Sequence, residues 1–189
     1  MNASFHSEKA ASHILLVGSR GSGKTTIGHS LARVRDLPFY DTDRMVEEVI
    51  REPISSFWAR EGEVPFRSLE SGVLHKLVNM RSGVVSTGGG IVLSSENRDL
   101  ISKMGWVLYL SVSVDVLENR LSHWGNSRPR LNPQLQLSEE IALSVRERDP
   151  LYREIADYIV ETGGMSVPQV VAQISRLLGD NRSSKADGV

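Results

Sequence analysis

An α/β fold, with a five-stranded parallel sheet between helices, is predicted for this 189-residue chain from three observations. Short, almost uniformly apolar runs alternate with segments whose apolar residues recur at helical spacing, as expected of strands covered on both faces. The first such run ends directly in Gly18-Ser19-Arg20-Gly21-Ser22-Gly23-Lys24-Thr25, which satisfies G-x-x-x-x-G-K-[ST] at every fixed position. A helical pattern opens immediately behind it through Ile27, Leu31 and Val34. Strand before and helix after is the context that a phosphate-binding loop requires.

Length suits a single domain over 1–189. A formal net charge of −1, without any basic run, argues against a nonspecific nucleic-acid binder, which needs Lys and Arg to displace counterions. With no cysteine there is neither disulfide nor thiolate zinc site, and the five histidines show no metal-ligand spacing, so any metal must take oxygen ligands. No stretch approaches a membrane span. A cytoplasmic monomer with no nucleic-acid or membrane partner is expected, with residues 1–12 and 180–189 as disordered tails.

His13 to Val17 reads as a central strand, and the glycines behind it let backbone N–H groups turn inward toward phosphate at a helix N-terminus. Gly21, Ser22, Gly23, Lys24, Thr25 and Thr26 are the expected nucleotide-binding set. Lys24 reaches the β- and γ-phosphates in this reading, and the Thr25 hydroxyl holds Mg²⁺. Leu37 to Tyr40, a second strand, leads into Asp41-Thr42-Asp43. If that stretch stays extended, alternation puts both carboxylates on one side, facing a cleft beyond the strand ends. Alternatively Asp43 caps the amphipathic segment from Met45 to Ile50.

Helical patterns follow over 54–80, where Pro65 suits a first turn and places Phe66, Arg67 and Glu70 at a helix start. Arg67 is either a surface charge paired with Glu70 or an anion clamp. Val84 and Val85 form a third strand ending in Ser86-Thr87-Gly88-Gly89-Gly90. Three glycines together are most economically explained by a backbone that must approach a ligand or another segment closely. A hairpin is disfavoured because Ser95 to Met104 reads as a helix capped by Ser94 or Ser95. Trp106 to Leu110 is a fourth strand, and Val114 to Leu121 a helix. The Gly, Asn and Pro punctuation of Ser122 to Gln136 suits a mobile surface loop. Ser138 caps a long helix to Asp157, with a break or kink expected near Asp149 because of Pro150. Tyr158 to Val160 is the fifth strand, and the apolar residues from Val167 to Leu178 give the closing helix.

In their order and spacing, five blocks join the phosphate loop as markers: Phe39-Tyr40-Asp41-Thr42-Asp43, Gly62-Glu63 through Phe66-Arg67 to Glu70, Thr87-Gly88-Gly89-Gly90, Arg128-Pro129 and Arg148-Asp149-Pro150-Leu151-Tyr152. Over about residues 13 to 178 the chain resembles the shikimate kinase family. The resemblance implies a P-loop NTPase fold whose core is 13–42, 81–121 and 137–179, with a substrate-binding helical lobe at 43–80 and a lid at 122–136. It implies Mg²⁺-dependent transfer of the γ-phosphoryl group of ATP to the 3-hydroxyl of shikimate, on the route to chorismate and the aromatic amino acids. Carried over by motif, Lys24, Asp43 and Arg128 are catalytic; Asp41, with Thr25, holds Mg²⁺; and Asp43 binds and orients the shikimate hydroxyls. Arg67 and Arg148 clamp the substrate carboxylate, Gly88, Gly89 and Gly90 present backbone groups to the ring, and Arg120 lies against adenine. Arg128 folds over the γ-phosphate from the lid, although Arg130 is a second lid cation and the choice between them stays open. Trp58 and Glu52-Pro53 match no recognised family pattern. The alternatives are a kinase for another polyhydroxy acid such as gluconate and a non-catalytic shikimate/ATP sensor. Replacing Lys24 with Met is expected to remove most turnover while the far-UV circular dichroism stays unchanged; near-normal ADP release contradicts the phosphate-loop assignment.

Overall fold

The computed structural model describes residues 12–122 and 135–179. Five parallel strands, β1 (His13–Val17), β2 (Phe39–Asp41), β3 (Val84–Ser86), β4 (Gly105–Ser111) and β5 (Tyr158–Glu161), lie in the order β2-β3-β1-β4-β5. Between them run α1 (Lys24–Arg35), α2 (Thr42–Ile50), α3 (Ile54–Glu61), α4 (Glu63–Val78), α5 (Ser95–Met104), α6 (Val114–Ser122), α7 (Leu137–Ile155) and α8 (Val167–Leu177).

β1 shows why its sequence is apolar throughout. Every residue in it is buried, yet the faces remain distinct: Leu15 and Val17 enter one core layer with Leu74, Leu77, Ile101 and Tyr152, while Ile14 and Leu16 enter the other with Ile27, Leu31, Val170 and Ile174. α1 and α8 therefore cover one face of the sheet, and α4, α5 and α7 the other. From β1 the chain passes to the β2 edge, returns to β3, then crosses to β4, so the strand order reverses around β1. A crevice beyond the carboxyl ends of the strands follows from that reversal.

Two local expectations are corrected. Asp41, not Asp43, caps α2: its Oδ1 accepts from the N–H groups of Asp43 at 3.1 Å and Arg44 at 3.4 Å. Thr42 and Asp43 are already helical, so the two carboxylates do not alternate along a strand. The physical reason is that a carboxylate at the strand end satisfies orphan N–H groups two residues earlier than the apolar pattern suggests. Likewise α7 is capped by Gln136 in a reciprocal box with Glu139 rather than by Ser138, and it runs unbroken past Pro150. Groups on either side of Pro150 are anchored, since Tyr109 donates its hydroxyl to Asp149 Oδ1 at 2.8 Å and stacks on the buried Tyr152. The expected lid falls, for residues 123–134, outside the described residues, as do both tails apart from Ser12. Among the described residues no helix is long and apolar enough to cross a membrane.

The turn that follows β3 is fastened to α2 by one buried bond, from Gly88 N–H to Thr42 Oγ1 at 2.8 Å. Thr42 is fully buried, so Thr42→Val, nearly isosteric, leaves an amide without its acceptor. Urea unfolding is expected to show a loss of about 1–3 kcal/mol; an unchanged midpoint contradicts the role given to this bond.

Candidate active site

The phosphate loop bridges β1 and α1. Gly18, Gly21 and Gly23 hold φ values of 144°, 85° and 97°, and a Cβ at Gly18 would stand 2.7 Å from the Leu110 carbonyl oxygen. Only glycine fits that handover from strand to loop. Lys24, the first residue of α1, is buried and donates from Nζ to the carbonyl oxygens of Gly18 at 2.7 Å and Ser19 at 2.9 Å. Arg120 reaches in from α6 and donates to the Gly21 carbonyl at 3.0 Å.

Oxygen ligands for a cation gather where α1 begins and β2 and β3 end. Thr25 Oγ1 donates to Asp41 Oδ2 at 3.0 Å and lies 3.3 Å from Ser86 Oγ. Parallel register pairs Asp41 with Ser86, which brings the two strand ends to the same point. Ser86 was missed as a site residue; its signal was its place at the carboxyl end of a strand, directly before the glycines. Among the described residues no group of three or more His, Asp or Glu side chains is placed to hold a metal ion by itself. One carboxylate and two hydroxyls suit Mg²⁺, a hard cation that keeps several waters and takes phosphate oxygens from its nucleotide.

Beside the loop lies a cavity of about 320 Å³ whose lining includes Asp43, Trp58, Arg67, Gly90 and Arg148. A smaller cavity of about 70 Å³ sits over the loop itself, against Lys24, Thr25 and Thr26. Arg20, Thr25, Asp43 and Gly89 line both, so the two spaces meet at those residues.

Arg67 is at once a paired charge and a cavity wall. Its Nη1 donates to Glu70 Oε2 at 2.8 Å, while Nε and Nη2 donate to Glu63 Oε1 at 3.1 Å. The guanidinium also lies over the rings of Trp58 and Phe66, 5.5 and 5.3 Å from their centroids, which places Trp58 in the cavity wall. Burial pushes the Glu70 carboxyl above its ordinary value of 4.5, and Arg67 offsets part of the rise. Gly90 has no room for a Cβ, which would strike the Arg67 guanidinium; at Gly88 it would meet the carboxylates of Glu70 and Asp43. Gly88 and Gly90 are explained by this approach of charged groups to backbone, and Gly89 by its closeness to the backbone of the phosphate loop. Arg148 enters from α7 with its Nε buried and without a hydrogen bond, 3.8 Å from Glu147 Oε2. Arg128 and Arg130 lie outside the described residues.

A family model described as shikimate kinase matches residues 20–178. The chain belongs to the shikimate kinase family. It is 43% identical over 166 residues to a shikimate kinase of Nitrosococcus oceani, covering 88% of this chain and 86% of that one. To a shikimate kinase of Methylococcus capsulatus it is 40% identical over 165 residues, 86% and 89% of the respective chains. Among solved structures, shikimate kinase from Acinetobacter baumannii in complex with shikimate superposes with a TM-score of 0.84 at 32% identity, covering 94% of this chain and 98% of that one. A gluconokinase from Sinorhizobium meliloti reaches a TM-score of 0.56 at 18% identity, a likeness of fold alone.

Arg67→Ala leaves the Glu70 carboxylate buried without its cation. Burial, helped by the nearby Asp43 and opposed by Arg148, then governs that carboxyl, so its folded-state value rises further above the unfolded 4.5. The native state binds a proton that the unfolded chain has released, and stability falls as pH rises through that window. Urea titrations are expected to show a small loss near pH 4 and a loss of about 1–3 kcal/mol at pH 7.5; a pH-independent difference contradicts the pairing.

Proposed function

We propose that this chain transfers the γ-phosphoryl group of ATP to the 3-hydroxyl of shikimate, giving shikimate 3-phosphate and ADP. The observation that carries the proposal is the shared wall: Asp43 borders both the phosphate-loop cavity and the cavity that holds Arg67 and Arg148. A donor phosphate and a carboxylate-bearing acceptor are thereby brought to one carboxylate.

In this reading Gly21, Ser22, Gly23 and Thr26 cradle the phosphates and Lys24 neutralises the charge that spreads onto the transferred group. Thr25 and Asp41 would hold Mg²⁺, which would supply positive charge against the phosphate oxygens when bound. Arg67 and Arg148 fix the substrate carboxylate, backbone groups of Gly88, Gly89 and Gly90 meet the ring hydroxyls, and Trp58 and Phe66 supply an apolar wall. Asp43 orients the 3-hydroxyl, whose oxygen bonds to the γ-phosphorus as the bond to the bridging oxygen of ADP breaks. The hydroxyl proton passes to Asp43. Arg120 lies against adenine, the 43–80 segment serves as acceptor lobe, and the 122–136 segment as a lid that supplies an arginine, Arg128 or Arg130, to the γ-phosphate. The enzyme works as a cytoplasmic monomer.

A coupled ADP-release assay across shikimate, quinate and gluconate tests the reading, with turnover expected on shikimate and gluconate behaving like a blank. Comparable turnover on gluconate overturns the acceptor assignment. Arg148→Ala is expected to raise KM for shikimate by about 10- to 100-fold, the worth of a charged hydrogen bond, and to leave KM for ATP within about twofold. Equal losses for both substrates count against a carboxylate clamp.

A further inference from the structure

Tyr152 has no part in the roles above, yet its hydroxyl lies where three elements of the site meet. The side chain is wholly buried, and its ring stacks on Tyr109 with centroids 5.0 Å apart and planes inclined by 29°. Its O–H donates to the carbonyl oxygen of Gly89. The side chains of Ser19, in the phosphate loop, and Arg148, one helical turn earlier on α7, come within reach of the same oxygen. Burial pushes the phenol well above its ordinary value, so the group keeps its proton and remains a donor.

The carbonyls of the glycine turn are all taken. Gly88 O accepts from Ile91 N–H at 3.2 Å and Gly90 O from Leu93 N–H at 3.0 Å, both local backbone bonds. Gly89 O alone accepts from a distant side chain. Because a peptide unit is planar, holding the Gly89 carbonyl also fixes the direction of the Gly90 N–H, in residues that have no side chain to restrain them. Gly89 is moreover the point at which the turn abuts the phosphate loop: a Cβ there would stand 3.4 Å from Arg20 N and 3.5 Å from Gly18 O.

We propose that Tyr152 is a positioning residue for phosphoryl transfer, whose hydroxyl sets the glycine turn at a fixed separation from the phosphate loop and so aligns acceptor with donor. The proposal rests on the function given above. Most of the affinity for each substrate comes from the charged groups Lys24, Arg67 and Arg148, whereas alignment depends on this bond, and a small misplacement of reacting atoms costs turnover more than binding.

Tyr152→Phe keeps the ring, the stack and the buried volume and removes only the donor. Steady-state kinetics with shikimate and ATP are expected to show kcat reduced at least about tenfold, with KM for each substrate within about threefold of the parent. Tyr109→Phe is the companion variant, since it strips a hydroxyl from the same stack but leaves the Gly89 bond in place. Its kcat is expected to stay within about threefold of the parent. A Tyr152→Phe enzyme with parental kcat overturns the proposal. So does an equal loss in Tyr109→Phe, or failure of Tyr152→Phe to fold, because either assigns the hydroxyl to structure rather than to alignment. The parent chain is assayed first: no turnover on shikimate overturns the functional reading together with this one, whereas normal parental turnover isolates the test to Tyr152.

Discussion

Both oxygens of the Asp41 carboxylate are engaged, each by a different part of the molecule. Oδ1 accepts the first N–H groups of α2, and Oδ2 accepts the Thr25 hydroxyl at the start of α1. One side chain at the end of β2 thus fixes the helix that follows the phosphate loop relative to the helix that begins the acceptor side. Capping by Asp41 also decides where Asp43 stands. With α2 starting at Thr42, Asp43 lies in its first turn and borders both cavities. A negative side chain near a helix N-terminus is stabilised by the helix dipole, so Asp43 is compatible with that position in the wall of both cavities.

Charge in the acceptor cavity is arranged around the glycine turn. Glu70 is almost wholly buried, with a side-chain exposure of 2%, and Arg67 is partly committed to it. A guanidinium shared with Glu70 and Glu63 is a weakened partner for an incoming carboxylate, so the proposed carboxylate clamp calls on a second arginine, Arg148, in the same cavity. Arg148 arrives with a buried Nε that makes no hydrogen bond within the described residues. Gly88 and Gly90 are the other half of this arrangement, because any Cβ there would occupy the space of the Glu70, Asp43 or Arg67 side chains. Charged groups are pressed against backbone, and the backbone must be bare to receive them.

The parts of the fold legible in the sequence were those that depend on local pattern. Strand β1, the loop from Gly18 to Thr25 and the helix behind it are a contiguous run whose chemistry is complete within about two dozen residues, and the five strands follow from apolar runs between helical ones. Three features were not legible, each for the same physical reason. Ser86 meets Thr25 across 61 residues of sequence, and Tyr152 meets Gly89 across 63, so neither partner is implied by its neighbours in the chain. The unbroken course of α7 past Pro150 also rests on distant anchors, Tyr109 among them. Asp41 rather than Asp43 as cap moves the helix boundary by two residues, within the margin that sequence pattern resolves least well. Arg67 was read as either an ion-pair partner or a clamp because a helical i,i+3 spacing cannot reveal a cavity on its far side.

What separates the two cavities explains how a transfer between them can be exact in distance. The residues common to both walls are Arg20, Thr25, Asp43 and Gly89, and all but Arg20 have short side chains or none. A wall of long side chains would leave the donor-to-acceptor gap subject to rotamer freedom, since such chains retain several staggered states. Arg20 apart, the shared wall is short side chain and main chain, and that main chain is pinned at three points: Asp41 at the start of α2, Thr42 on the Gly88 amide, and Tyr152 on the Gly89 carbonyl. Each pin comes from a different element, so no one of them can move without drawing a second along. Rigidity of this kind favours a reaction in which the protein contributes little covalent chemistry and much placement.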